Sequence, residues 1–283
     1  MGRGEVISEY VVARPAPGLR GFVSEYAGYR MDGPPGRHHG LPSPYLTLVV
    51  CLSGDLDVVE MPDPGRRPVR LTMAVGGLHE TPVVMAHDGR QYGVQIGLTL
   101  PGARALLGVP AGELSRDVID MAALLGRRAG ELAERLAEEP DWRRRFGVLD
   151  RVFAELARDG AARRSPDAVA RAWGSLIATG GNLRVGELAR DLGWSRRHLT
   201  ERFRREVGLT PKAAARVIRF ARACRMLRSP CPPPLARVAA DCGYFDQAHL
   251  AREFRELAGV TATTWLADPT IPRDALLLDG EQD

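Results

Sequence analysis

One pattern occurs twice in this chain, and it constrains the fold more than any other feature. Residues 193–208 read GWSRRHLTERFRREVG, and residues 243–259 read GYFDQAHLAREFRELAG. Gly193 answers Gly243, Trp194 answers Tyr244, Leu199 answers Leu250, Phe203 answers Phe254 and Gly208 answers Gly259. The second copy has one extra residue before its leucine. Ahead of the first copy, Val185, Leu188, Ala189 and Leu192 form an apolar stripe, and ahead of the second Leu235, Val238, Ala239 and Cys242 do the same. Apolar residues three and four apart mark the buried face of a helix. Gly193 and Gly243 supply the positive φ that ends such a helix. Ser195 and Asp246 are residue types that cap the next one. Two short helices joined by a tight glycine turn make a helix-turn-helix, so two are expected, at 185–206 and 235–257.

Between them, PKAAARVIRFARACRMLRSP opens with a proline suited to a first helical turn and closes at Ser229-Pro230. A linker helix over 211–228 is predicted, roughly 25 Å long at 1.5 Å per residue. Added to the radii of two small modules, that length approaches the ~34 Å between successive major grooves on one face of duplex DNA. A single chain can then make two groove contacts.

The charge agrees. From 167 to 268 there are 17 Arg and Lys against 10 Asp and Glu, whereas the whole chain has a net charge of only +4, so the rest is acidic. A basic C-terminal third favours an anionic partner. The candidate base contacts are Arg196, Arg197, Thr200, Glu201 and Arg204 in the first copy, and Gln247, Ala248, His249 and Arg252 in the second. Arg pairs with guanine O6 and N7, Gln with adenine N6 and N7, and Ala packs on a thymine methyl. Glu201 either accepts from cytosine N4 or pairs with a neighbouring arginine. Ser195, Lys212, Arg216, Arg222 and Asp246 are the expected phosphate contacts.

With these residues in place, the segment from about 167 to 268 resembles the AraC/XylS family of bacterial transcription regulators. Arg219, Ala223 and Leu227 are similar to the family's linker-helix pattern. The resemblance implies that base-facing residues come from the N-terminal half of each second helix: Arg197, Thr200 and Glu201, then Gln247, Ala248, His249 and Arg252. It also implies a double-stranded DNA operator as partner, and RNA polymerase in the case of an activator. One departure is Ala262, which stands where the first copy has Pro211; it is expected to loosen the start of the last helix without abolishing it.

The N-terminal part reads differently. The segments 45–52, 55–61, 69–78, 81–87 and 91–100 are short, β-branched and separated by Gly, Pro or Asp-Gly turns, the pattern of a barrel or sandwich. From about 109 the period becomes helical. Trp142, Phe146, Leu149, Phe153 and Leu156 recur at helical spacing after a break near Glu139-Pro140. That stripe serves either to pack on the β-domain or to form a dimer interface. The segment 158–168 reads as a linker, with Ser165, Pro166 and Asp167 starting the next helix.

The expected fold class is therefore α+β in two domains. A cupin-like β-barrel sensor domain (1–108) is followed by a helical linker or dimerisation region (109–160). An all-α, homeodomain-like tandem helix-turn-helix (165–268) comes next, then a loosely ordered tail (269–283). The N-terminal part resembles the sensor domains that precede such modules, implying a small-molecule effector and a homodimer.

A cupin-type metal enzyme fused to a DNA-binding module is the alternative. His38, His39, His79, Glu80 and His87 are the residues to consider for it. Neighbours in a strand point to opposite faces, so neither His38 with His39 nor His79 with Glu80 supplies two inward ligands. No metal, cofactor or catalytic residue is assigned. Cys51, Cys224, Cys231 and Cys242 form no CxxC pair and read as free thiols. With no 18-residue apolar run and no secretory signal, the protein is expected to be cytoplasmic and without a membrane partner.

Overall fold

The computed structural model describes residues 7–160 and 167–267. The middle of the expected linker and the tail 269–283 lie outside the described residues. Among those described, ten strands form two antiparallel sheets. The larger has the order β1 (Ile7–Ala13), β2 (Val23–Asp32), β9 (Arg90–Leu98), β4 (Leu46–Ser53), β7 (Met73–Gly76), β10 (Val118–Asp120). The smaller has the order β3 (Gly36–Gly40), β8 (Val83–His87), β5 (Leu56–Glu60), β6 (Val69–Leu71). The expected barrel is corrected to two sheets that do not close. Among the described residues no strand of one sheet is hydrogen-bonded to a strand of the other; the edges are β1 and β10 of the larger and β3 and β6 of the smaller. Residues 69–78 hold two strands rather than one, and β10 lies inside the stretch that reads as helical.

Strand alternation sets the two faces of the larger sheet. On β4, Leu46, Leu48 and Val50 are fully buried, while Thr47 and Val49 turn toward the smaller sheet and line a cavity between the two. On β9, Val94, Ile96 and Leu98 take the first face, and Gln91 and Gln95 the second.

After β9 the chain turns through α1 (Leu100–Gly102), a wide turn at Ala103–Leu107 and a 3-10 turn at Ala111–Leu114. Beyond β10 come α2 (Ala122–Leu125), α3 (Arg127–Glu138) and α4 (Trp142–Asp159). Asp141 caps α4 by accepting from the Arg144 amide at 2.9 Å. The apolar stripe of α4 lies on its own chain's sheet. Phe146 stacks on Tyr26 with ring centroids 5.7 Å apart, and the Tyr26 hydroxyl donates to Asp150 at 3.0 Å. Trp142 covers Gly28 so closely that any side chain there would overlap the indole. Of the two uses open to this stripe, packing on the β-domain is the one the fold adopts.

The C-terminal part is helical: α5 (Asp167–Ala178), α6 (Val185–Asp191), α7 (Arg196–Val207), α8 (Pro211–Arg228), α9 (Leu235–Asp241), α10 (Gln247–Ala258) and α11 (Ala262–Ala267). No helix among the described residues is long and apolar enough to cross a membrane.

Candidate nucleic-acid interface and the cavity behind it

The two copies fold alike. In the first head α6 leads through Gly193, at φ 66°, into α7; in the second α9 leads through Gly243, at φ 75°, into α10. Ser195 caps α7 by accepting from the His198 amide at 3.1 Å, and Asp246 caps α10 by accepting from the His249 amide at 2.6 Å. The apolar faces of Leu199 with Phe203, and of Leu250 with Phe254 and Leu257, are buried. Phe203 packs against Trp173 of α5, and Phe254 lies between Phe220 of α8 and Trp265 of α11. The 18 residues of α8 keep the heads apart by roughly 27 Å of helix.

What remains exposed at each tip is polar. On α7, Arg196, Arg197, Glu201 and Arg204 face outward. Arg197 donates to Glu201 at 2.9 Å, forming the pair within the helix, and this partnership raises the guanidinium above its ordinary range. The Thr200 hydroxyl is turned inward and donates to the Arg196 carbonyl at 2.8 Å. On α10, Gln247, Ala248 and Arg252 are exposed. His249 is instead held by its own head. Its Nδ1 accepts from the Phe245 amide at 3.2 Å, and its ring edges Tyr244 with centroids 5.4 Å apart. The first head repeats that ring contact between Trp194 and His198.

The extra residue of the second copy is Phe245. It is 92% exposed, immediately before the cap, on the same tip as Gln247. The count of residues between Gly243 and Leu250 flags this insertion, but nothing in the sequence says that the ring points outward.

The residues expected at phosphates divide. Lys212 is exposed on the first turn of α8, and Arg222 is half-buried beside Gly180. Ser195 and Asp246 are at the helix starts and serve as caps. Arg216 sits among carboxylates: it donates to Glu253 at 2.9 Å and Glu256 at 2.6 Å, and lies 3.6 Å from Glu80 of the N-terminal domain. Although half-burial opposes its charge, the bonds to Glu253 and Glu256 prevail and raise its pKa. Lys212, Arg216, His249 and Arg252 share one polar cleft with Glu80.

Behind this surface lies the cavity between the sheets, about 170 Å³ in volume. Tyr29, Thr47, Gln91 and Gln95 line it from the larger sheet, and His38, Val58 and Met85 from the smaller. Phe220, Ala221 and Cys224 of α8 close one side. The helix that joins the two heads is thus also a wall of the N-terminal cavity. Of the five residues weighed for a metal, His38, His39 and His79 line this cavity. The His38 ring lies 5.6 Å from that of His87, tilted by 46°, whereas His39 lies beside Gly259 of the C-terminal domain. Among the described residues no group of three His, Cys, Asp or Glu is placed to hold a metal ion.

His79 directs Nδ1 at the Thr81 carbonyl, 2.5 Å away. A carbonyl only accepts, so Nδ1 carries the proton and Nε2 is an acceptor. His79 is half-buried at the wall of the cavity, and the protein packed around its ring disfavours the charged form and pushes the imidazole down to about 4. Burial also raises the thiols: Cys51 and Cys242 to about 11, and Cys224 further.

A basic tandem helix-turn-helix on a cavity-bearing β-domain defines a class: a DNA-binding transcription regulator with a separate N-terminal module. Residues 188–268 match the family model of a helix-turn-helix domain, and this segment is of the AraC type. No curated protein matches the chain. Among solved structures, ToxT from Vibrio cholerae at 1.65 Å resolution is similar, with TM-score 0.51 and 9% identity over 92% of this chain and 97% of that one. ToxT from V. cholerae strain SCE256 with an unsaturated fatty acid bound gives TM-score 0.51 and 10% identity over 92% and 94%. ToxT from V. cholerae O395 bound to (E)-4-(8-methylnaphthalen-1-yl)but-3-enoic acid gives TM-score 0.51 and 9% identity over 92% and 98%. At such identity the likeness shows a shared two-domain fold.

Proposed function

We propose that this protein reads an asymmetric operator with two unlike heads and is switched by a small molecule seated between its sheets. The observation that carries the switch is the shared wall: a ligand in the cavity touches Phe220, Ala221 and Cys224 on the helix that sets the spacing of the heads. ToxT, which shares the fold, is described with apolar acids bound, and this supports an effector for the present chain. The stripe of α4 is covered within the chain, which favours control by a bound molecule over control by pairing of those helices. The cavity offers imidazoles, amides and hydroxyls with no carboxylate among the described residues. Its place against the helix that joins the two heads favours the effector site of a regulator over the active site of an enzyme.

The heads differ in chemistry. The first presents Arg196, Arg197 and Arg204, and the second Gln247, Ala248 and Arg252. Lys212 and Arg222 supply phosphate contacts between them. The test is selection of bound fragments from random-sequence DNA with the full chain and with Arg197→Ala and Arg252→Ala. Each variant is expected to bind the wild-type site about tenfold or more weakly, and to lose preference at a different half of it. Lys212→Ala should weaken every sequence alike and lower the salt slope by about one. Unchanged preference in both arginine variants removes the two-headed reading.

A further inference from the structure

The chemistry of the cavity narrows what it binds. No Arg, Lys, Asp or Glu lines it among the described residues. An ionised ligand would sit in low dielectric without a counterion, which costs several kcal/mol of affinity unless it is neutralised. The imidazole of His79 does not supply that counter-charge near neutral pH, because desolvation disfavours its protonated form, so a carboxylate would have to draw its counter-charge from His38 or His39 on β3. The wall is mostly apolar, built from Met31, Val49, Val58, Met85 and Phe220 with their neighbours. At about 170 Å³ the space slightly exceeds an engineered cavity of roughly 150 Å³ that takes up benzene. One ring with a small substituent fills it.

Orientation is set by His79. Its Nδ1–H is held by the Thr81 carbonyl, so Nε2 is the nitrogen left for the cavity, and it asks for a donor. A hydroxyl answers; a carboxylate or a bare ring does not. We infer that this site takes a neutral monocyclic ligand bearing one hydroxyl, of the phenol class, with its O–H donated to His79 Nε2 and its ring against Phe220. The inference rests on the effector reading above and specifies its ligand. It departs from the apolar acids with which ToxT is described.

The experiment is calorimetric titration of the full chain near pH 7.5 with three probes of similar size. 4-Methylphenol carries the donor, 4-fluorotoluene is its near-isostere without one, and 4-methylbenzoate carries a charge. The expected result is 4-methylphenol binding about tenfold tighter than 4-fluorotoluene, the worth of one buried hydrogen bond, with 4-methylbenzoate weakest. In His79→Phe the two uncharged probes should become equal. Should that variant fail to fold, the ratio in the wild-type chain still decides. Equal binding of the uncharged pair by the wild-type chain, or tighter binding of 4-methylbenzoate, overturns the phenol assignment and leaves the effector cavity standing. Failure of all three probes to bind overturns both.

Discussion

Corresponding residues of the two heads are not energetically equivalent, and the turn glycines show why. Gly193 and Gly243 both have positive φ, a conformation that costs an L-residue roughly 1–2 kcal/mol. A side chain at Gly193 would meet open space, whereas one at Gly243 would run into the Asn182 side-chain oxygen. Gly193→Ala is expected to lower stability by about 1–2 kcal/mol, and Gly243→Ala by more. Asn182→Ala should recover the excess in the Gly243 variant and nothing in the Gly193 variant. Urea denaturation of the single and double variants measures this, and equal losses would show that Asn182 simply swings aside. These turns and their caps were legible in the sequence because their chemistry is local: a glycine, then Ser or Asp three residues before the amide it accepts from. Arg216 was not legible in that way. The sequence places it on an arginine-rich helix face, but the carboxylates around it come from α10 and from the loop before β8, and only tertiary structure brings them together.

At the scale of elements, periodicity identified the helices from α3 onward, took β10 for part of a helix, and was silent on what each helix covers. The α4 stripe reads the same whether it meets a sheet or a second copy; the overlap of Trp142 with any side chain at position 28 decides it. The first three strands, ISEYVVA, VSEYAGYRMD and GRHHG, are not legible because polar, charged and small residues interrupt their alternation. Even so, the odd-numbered residues Tyr29 and Met31 of β2 line the cavity while Tyr26 and Gly28 face α4. The start of α11 offers a test of local rules. Thr210 and Thr261 cap α8 and α11 identically, each accepting from the amide three residues on at 3.1 Å. Pro211 follows the first threonine and Ala262 the second. Proline at a first helical position loses no needed donor and restricts the unfolded chain. Ala262→Pro is therefore expected to stabilise the protein by about 0.4–1 kcal/mol. A lower denaturation midpoint would mean that the backbone at this turn departs from the geometry of the first copy.

At the scale of the whole molecule, the N-terminal module grips the first head at the end opposite its tip. Arg104 donates to both carboxylate oxygens of Glu206, on the last turn of α7, at 2.7–3.0 Å. Ser115 Oγ lies 3.0 Å from the Leu78 carbonyl and 3.2 Å from the Gly208 carbonyl, and donates to one of them. Gly112 fits so tightly beneath the Arg205 carbonyl that a methyl there would overlap it. The Glu206 side chain is 8% exposed and that of Arg104 24%, so the pair stands between a surface bridge and a buried one. Removing one partner of a buried pair strands the other charge and costs 3–5 kcal/mol, whereas replacing both by apolar residues is often close to neutral. Arg104→Ala is accordingly expected to cost about 3 kcal/mol, the low end of that range because water reaches Arg104. Arg104→Met combined with Glu206→Leu should cost far less than Arg104→Ala alone. Urea denaturation of these variants gives the comparison. A loss below about 1 kcal/mol for Arg104→Ala would place the pair with exposed bridges and remove it as a tie between the modules. If the tie holds, a ligand that shifts the β-domain has two routes to the reading heads. One is the cavity wall on α8 and the other is this bidentate pair on α7. Cutting the second should lower the ratio of DNA affinities with and without effector, while leaving effector binding itself unchanged.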